Sequence, residues 1–325
     1  MSNTLGTHFR LTTFGESHGP AIGGVVDGCP AGIVFDSQLL AGEMQRRHTG
    51  DSATTRREPD EVEILSGVYE GRTLGTPIAF IIKNCDAKSE EYATLAELYR
   101  PGHADYTYGK RYDRRDPRGG GRASGRITAT YVTAGAIAKM VLATKGITIT
   151  AHIVENGTPT ENDSCGGIIE CTVTGVPAGI GNPVFDKVNA RLAAAILSIP
   201  SATGFEMGAG FGAARMKGSE YRDNWVECKS ATTGFTTQTN HCGGVQGGIS
   251  NGMPIVFRAA FHPAVTIPQP TDCIDSDGNI HNVTPHGRHD SNHIPRTVVV
   301  VEAMAALTIV DFVTENGELK IIDKQ

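Results

Sequence analysis

The sequence predicts an α+β fold in a single unit spanning residues 1–325. Three observations lead there. Strand-like and helix-like segments mix without the regular strand–helix–strand rhythm of a doubly wound sheet. No linker divides the chain. The 40 glycines follow no fixed period, so they mark tight turns and close backbone approaches, not a repeat architecture.

Each element has its own signal. Residues 76–84 (TPIAFIIKN) are predicted as a strand, and 168–174 alternate polar and apolar as a strand does. Residues 128–145 are Ala-rich with helical apolar spacing and a Gly stop at Gly146. A second Ala/Leu-rich helix spans 189–199 and must end before Pro200. Residues 254–261 and 297–301 are rich in strand formers, and 302–313 is predicted as a mostly apolar, buried helix.

Composition narrows the function. The apolar fraction of 39% is that of a globular protein. A net charge of −6 argues against general nucleic-acid binding and against an anionic membrane surface. No apolar run near 18 residues is apparent, and Met1 to Arg10 lacks a signal-peptide core, so no membrane partner is expected. Seven scattered cysteines without a Cys-x-x-Cys pair point to reduced thiols and a cytoplasmic location.

Several constellations carry chemistry. In Gly15-Glu16-Ser17-His18-Gly19, a histidine between small residues can approach a ligand and exchange a proton near neutral pH, with Ser17 beside it as a relay. A solvent-facing turn is the plain alternative. In Arg100-Pro101-Gly102-His103-Ala104-Asp105, a second histidine comes after a Pro-Gly turn. Asp105 either orients that imidazole or caps the next element of the chain. The stretch from Lys110 to Arg126 holds seven Lys/Arg and three consecutive glycines, a pattern suited to wrapping an anion. Arg46, Arg47, Arg56 and Arg57 add two arginine pairs upstream. Together they predict a small, multiply charged anion as ligand.

Downstream, Gly287-Arg288-His289-Asp290 precedes Arg296 and Glu302, which offers Asp290 as a base and Arg288 as an anion ligand. His286, His289 and His293 raise the question of a metal. Gly287 and Pro295 break helical spacing, and no metal is expected. The loop Asn240 to Gly248 can offer backbone N–H groups to a flat cofactor or a phosphate. Cys242 within it carries no mark of a thiolate.

Taken in order, GESHG with VVDGCPAG, RPGHADYTYGKRY, GGGRASGR and GRHD before VVVVEAM resemble the signatures of the chorismate synthase family, from about Gly6 to Ala305. The resemblance implies a β-α-β sandwich, with a helical core between antiparallel sheets, assembled as a homotetramer. It implies a lyase of the shikimate pathway that converts 5-enolpyruvylshikimate-3-phosphate to chorismate and phosphate by anti-1,4-elimination with reduced FMN. On this resemblance His18 protonates the leaving phosphate and His103 supports the charge of the reduced flavin. Asp290 sits near flavin N5, and Ser17 and Ser124 are relays. Arg47, Arg126 and Arg296 surround the substrate. Arg122, Ala123, Ser124, Pro200, Ser201, Gly247, His262, Thr266 and Arg288 fall at flavin positions. No G-x-G-x-x-G fingerprint comes after a strand, so flavin reduced by an external reductase or other source, not by this chain with NADPH, is expected.

The chain departs from the family pattern at several points. Ala123 replaces a serine, and Pro200-Ser201 replaces Asn-Ala. His262-Pro263-Ala264-Val265-Thr266 replaces Lys-Pro-Thr-Ser-Ser. His48-Thr49 interrupts an arginine run, a basic residue is lost near Ala53, and Ser291-Asn292 comes after GRHD. A longer connection before Ile168 is shortened. Lost charged or hydroxyl contacts predict weaker flavin affinity, by about 1–3 kcal/mol for each charged hydrogen bond. The alternative functions are a divergent flavin- or anion-binding homologue without turnover, and an Arg/Gly-based nucleic-acid binder, which the negative charge disfavours.

Overall fold

The computed structural model describes residues 3–48, 58–87, 95–229, 234–285 and 289–315. Period-two burial builds its first sheet. Leu11 and Thr13 are buried between exposed neighbours in β2 (Arg10–Gly15), and Ile78, Phe80 and Ile82 are buried in β5 (Ile78–Lys83). With β1 (Thr4–Leu5), β3 (Ala21–Asp27) and β4 (Val62–Ile64) they form an antiparallel sheet of order β1-β2-β3-β5-β4. A second antiparallel sheet has the order β8-β9-β7-β6. Its strands are β6 (Thr148–Asn156), β7 (Gly167–Thr174), β8 (Ala202–Met207) and β9 (Ile255–Phe261).

Among the described residues five helices of eight residues or more accompany the sheets: α1 (Ser37–Arg46), α2 (Asp105–Tyr112), α3 (Thr128–Ala143), α4 (Val188–Leu197) and α5 (Ile294–Glu315). α3 and α5 are buried on nearly every face, as expected of helices with no polar side. They pack on each other; α3 also touches β3, and α5 lies over β6 and β7. This is the β-α-β sandwich. At the helix crossing, a Cβ on Gly135 would stand 2.4 Å from the Ala303 Cβ, so only glycine lets the two backbones approach this closely.

The predicted strand over 297–301 is corrected by the structure: those residues form part of α5, a single helix of 22 residues. Val298 to Val301 favour strands by propensity, but burial between two sheets and α3 decides the matter. Joined in this way, the segment is long and apolar enough to cross a membrane, which the sequence reading overlooked. Here 89% of that apolar window is buried inside the protein, so it serves as a core helix.

Two carboxylates inside α5 are fully partnered. Glu302 accepts hydrogen bonds from Arg46 Nη1 and Nη2 at 2.7 Å each, from Lys139 Nζ at 2.6 Å and from the Ala151 N–H at 2.9 Å. One side chain thereby ties together α1, α3, α5 and β6. Asp311 accepts the N–H groups of Thr7, His8 and Phe9 and pairs with Arg191. It fastens the segment before β2 and helix α4 to the end of α5.

This packing generates two stability predictions. Asp311→Ala strands three backbone donors and Arg191, and urea unfolding is expected to show a loss of about 3–5 kcal/mol. Gly135→Val forces the α3–α5 crossing apart and is expected to cost about 3 kcal/mol by the same measurement.

Candidate active site

The Glu16–Gly19 turn between β2 and β3 is held shut by the Gly19 N–H on the Glu16 carbonyl at 3.0 Å. Asn84 Nδ2 adds bonds to the Glu16 and Gly19 carbonyls at 3.1 and 2.8 Å. This rigid turn carries His18 to the wall of a cavity of about 1350 Å³. Ser17 is completely buried beneath it, its Oγ 3.0 Å from His18 Nδ1. The triple glycine fits against the same ring. A Cβ on Gly119, where φ is 150°, would lie 2.4 Å from His18 Nδ1. Glycine at that position thus makes room for the imidazole. Glu16 also lines the cavity, and burial pushes its carboxyl above the usual range.

A wall of arginines faces the cavity. Arg47, at the end of α1, and Arg126, just before α3, are each 4% exposed. Both donate to buried Asp60: Arg47 Nη1 to Oδ2 at 2.8 Å, and Arg126 Nη1 to Oδ1. Arg47 also donates to Thr128 Oγ1 and the Gly125 carbonyl at 3.2 Å each. Arg126 donates to Asn84 Oδ1 at 2.9 Å and the Lys83 carbonyl at 3.2 Å. Burial, together with repulsion from Arg296 and Arg126, pulls the Arg47 pKa down to about 9. Burial alone would raise the Asp60 carboxyl, but His48, Arg47 and Arg126 hold it well below its usual value. Arg296, from the first turn of α5, donates to Asp290 at 3.1 Å, and both line the cavity.

More histidines line the same cavity. His103 Nε2 meets Thr266 Oγ1 in a short hydrogen bond. His103 is pulled down to about 4 by burial and by the nearby charge of Arg100. His293 is likewise held at about 4 by burial and by Arg296, and its Nε2 lies 2.8 Å from Ser201 Oγ. The His262 N–H donates to the Ser201 carbonyl at 3.0 Å. The substituted positions Ser201 and His262 are thus joined to each other, and Thr266 is bonded to His103; all three line the cavity. The expected cap at Asp105 is not formed: Ala104 holds the N-cap position of α2 without a side-chain bond. Asp105, the first residue of α2, instead accepts from the Arg100 backbone and side chain at 2.7–3.1 Å and from Arg115 at 3.3 Å.

The cavity gathers His18, Arg47, His103, Arg122, Ala123, Ser124, Arg126, Pro200, Ser201, His262, Thr266, Asp290 and Arg296 from segments far apart in sequence. Expected residues also hold the protein together. Arg122, like Arg47 and Arg126, donates to its own neighbours, here the Gly15 carbonyl, Asn3 Oδ1 and Thr13, and so braces β2. Ser124 Oγ accepts the Arg126 N–H at 3.2 Å, the position of a helix N-cap. Arg46 belongs to the Glu302 network. Gly247 sits in the tight hairpin Val245–Gln246/Ile249–Ser250 and is not among the residues lining the cavity. In the loop before it, Asp223 takes the His241 and Cys242 N–H groups at 2.7 and 3.0 Å, and Asn240 takes that of Gly244 at 2.8 Å. Those amides are already engaged. Burial raises the Cys242 thiol pKa, which is contrary to a nucleophile. Arg56, Arg57, His286 and Arg288 lie outside the described residues. Among the described residues no group of three His, Cys, Asp or Glu side chains is placed to hold a metal ion.

The sequence reading missed Asp60, His48 and Glu16 as parts of this site. Glu16 lay inside a quoted motif. His48 had the signal of adjoining Arg47, whereas Asp60 sits in an acidic run with nothing to set it apart.

Known proteins resemble this chain in sequence and in fold. The family model described as chorismate synthase matches residues 9–160 and 156–314. A chorismate synthase of Cytophaga hutchinsonii is 44% identical over 361 residues, covering 99% of this chain and 100% of that protein. One from Nitratidesulfovibrio vulgaris is 48% identical over 345 residues, covering 95% and 96%. A crystal structure of chorismate synthase superposes with a TM-score of 0.74 at 29% identity, covering 96% of this chain and 93% of that one. With the family model and full-length relatives in agreement with the fold, the chain belongs to the chorismate synthase family.

Proposed function

We propose that the protein is a lyase that converts 5-enolpyruvylshikimate-3-phosphate to chorismate and phosphate by anti-1,4-elimination, with reduced FMN as cofactor. The observation that carries this reading is one cavity joining an arginine wall to two histidines and a carboxylate. The substrate bears a phosphate and two carboxylates, and FMN bears another phosphate. Buried guanidinium forks suit such groups. A volume of about 1350 Å³ exceeds the roughly 300–1,000 Å³ of a site for one small ligand. Room for a substrate and a flavin side by side fits that size.

The residues present fit the cofactor. Ala123, Ser124, Pro200, Ser201, His262 and Thr266 would hold it along the histidine side. Arg288 and Gly247 are carried only by the family resemblance. When bound, reduced flavin supplies the electron-rich ring that assists cleavage of the substrate C6–H bond and is returned without net redox change. The chain's own groups do the rest. Arg47, Arg126 and Arg296 hold the substrate anions and stabilise charge on the departing phosphate. His18, braced by Ser17 and Gly119, delivers a proton to that phosphate, a contribution of typically about 10²–10⁴-fold. Asp290, held by Arg296, stands ready for the hydrogen lost from C6. His103 starts neutral because it is buried, and an anion beside it favours its charged form.

The same reading assigns a cytoplasmic location, supported by cysteines that are all free. It also assigns a homotetramer, supported by exposed apolar side chains such as Phe185 at 95% and Phe211 at 76%. Reduced FMN is expected from an external source.

The deciding experiment is anaerobic turnover of 5-enolpyruvylshikimate-3-phosphate with chemically reduced FMN, reading chorismate. Product is expected, and His18→Ala and His103→Ala should each fold and lose at least about 10²-fold in kcat. A folded, flavin-saturated wild type that forms no chorismate would point to a divergent homologue without turnover.

A pH prediction comes from the two depressed histidines. Each has a folded pKa of about 4, below the usual value of about 6.5. Between those values the unfolded chain binds more protons than the folded one, so stability falls as pH drops from about 6.5 to 4. Saturating inorganic phosphate favours the charged imidazoles. Thermal unfolding should therefore show a larger phosphate-induced rise in Tm near pH 5 than near pH 7. The double variant His103→Gln/His293→Gln should flatten that difference.

A further inference from the structure

Asp60 lies outside the segments that carried the family resemblance, yet it is the group on which two cavity arginines converge. Its side chain is fully buried. Oδ2 accepts from Arg47 Nη1 at 2.8 Å, and Oδ1 accepts from Arg126 Nη1. His48 Nε2 lies 3.1 Å from Oδ2 on the more exposed side. The Asp60 backbone has φ of 50°, in the left-handed region that Asp tolerates better than most residues.

We propose that Asp60 is a positioning residue for the substrate's anionic groups: it aims Arg47 and Arg126 into the cavity from one wall and holds them in register before any anion arrives. The proposal rests on the proposed reaction only for the identity of that anion. Three arginines, Arg47, Arg126 and Arg296, share this wall, and all line the cavity. Buried like charges repel, and without a counter-charge the guanidinium groups would turn toward solvent. Arg296 has its own carboxylate in Asp290 at 3.1 Å, whereas Arg47 and Arg126 share Asp60. Their remaining described contacts, on Thr128, Gly125, Asn84 and Lys83, are all to neutral oxygens. Those bonds set the planes of the two forks, and Asp60 is the only charged anchor they have among the described residues. A pre-aimed pair binds phosphate or carboxylate without first ordering two long side chains, the usual entropic cost of such contacts. Asp60 touches no substrate in this scheme and acts through the two arginines.

The test is steady-state kinetics and phosphate binding of Asp60→Asn, which keeps the shape and removes the charge. The kcat/KM for 5-enolpyruvylshikimate-3-phosphate is expected to fall at least tenfold with KM raised, and the Tm rise produced by inorganic phosphate should be lost. A purely structural role would lower Tm and leave KM untouched. An unchanged or lower KM with the phosphate response intact overturns the proposal. If Asp60→Asn does not fold, Asp60→Glu keeps the charge one methylene out of place and should raise KM in the same direction; a wild-type KM there overturns it. On the wild-type protein, side-chain ¹⁵N spectra should show hindered guanidinium rotation at Arg47 and Arg126 without ligand, and free rotation would sink the idea. A wild type that forms no chorismate, but whose phosphate response is lost in Asp60→Asn, would retire the proposed reaction and leave this inference standing.

Discussion

Everything at the cavity depends on how a buried carboxylate, Glu302, is satisfied. A charge inside an apolar helix between two sheets is tolerated only when it is paired and hydrogen-bonded. Glu302 meets that demand with Arg46, Lys139 and the Ala151 amide. Arg46 is the last residue of α1. Anchoring it on α5 fixes where α1 ends, and the next residue, Arg47, turns the other way toward Asp60 and the cavity. Two adjacent arginines thus serve opposite ends: one closes the core, the other opens the site.

The site is a second solution to the same electrostatic problem. Arg47 and Arg126 are as buried as core residues, so they too need a counter-charge, and Asp60 provides it. The difference lies in what remains unfilled. Around Glu302 every ligand comes from the protein. Around Asp60 the guanidinium groups border a large cavity, where a multiply charged anion can complete the set. Across that cavity the histidines are kept neutral by burial, so an anion's arrival changes the balance for both walls at once. Rigid supports surround His18: a closed turn, Ser17 below and the bare Gly119 against its ring. Such support is what keeps a reacting group in place without a ligand.

Much of this was legible in the order of residues. Local periodicity identified the helices at 128–143 and 188–197 and the strands at 78–83, 167–174 and 255–261, because their burial follows one face or is complete. The family resemblance named thirteen of the residues that line the cavity, among them His18, His103 and Asp290, because several motifs recurred in order. The Thr297–Val301 segment was misjudged because β-branched propensity is local, while the burial that overrides it comes from β6, β7 and α3, far away in sequence.

By itself, then, the sequence determined the α+β class, the main apolar elements and the family, and it pointed to histidines and arginines that the fold gathers at one cavity, since these rest on residue type and spacing. Only the tertiary structure decided which arginine does what. Arg46, Arg47, Arg122 and Arg126 look alike in a sequence, yet one anchors a helix, one braces a strand and two join Asp60 at the cavity wall. Only the fold could single out Asp60 from its acidic neighbours Glu58, Glu61 and Glu63, because its role comes from charges brought to it across 13 and 66 residues of chain. Electrostatic partnership between distant residues has no local signature, and it is set by packing.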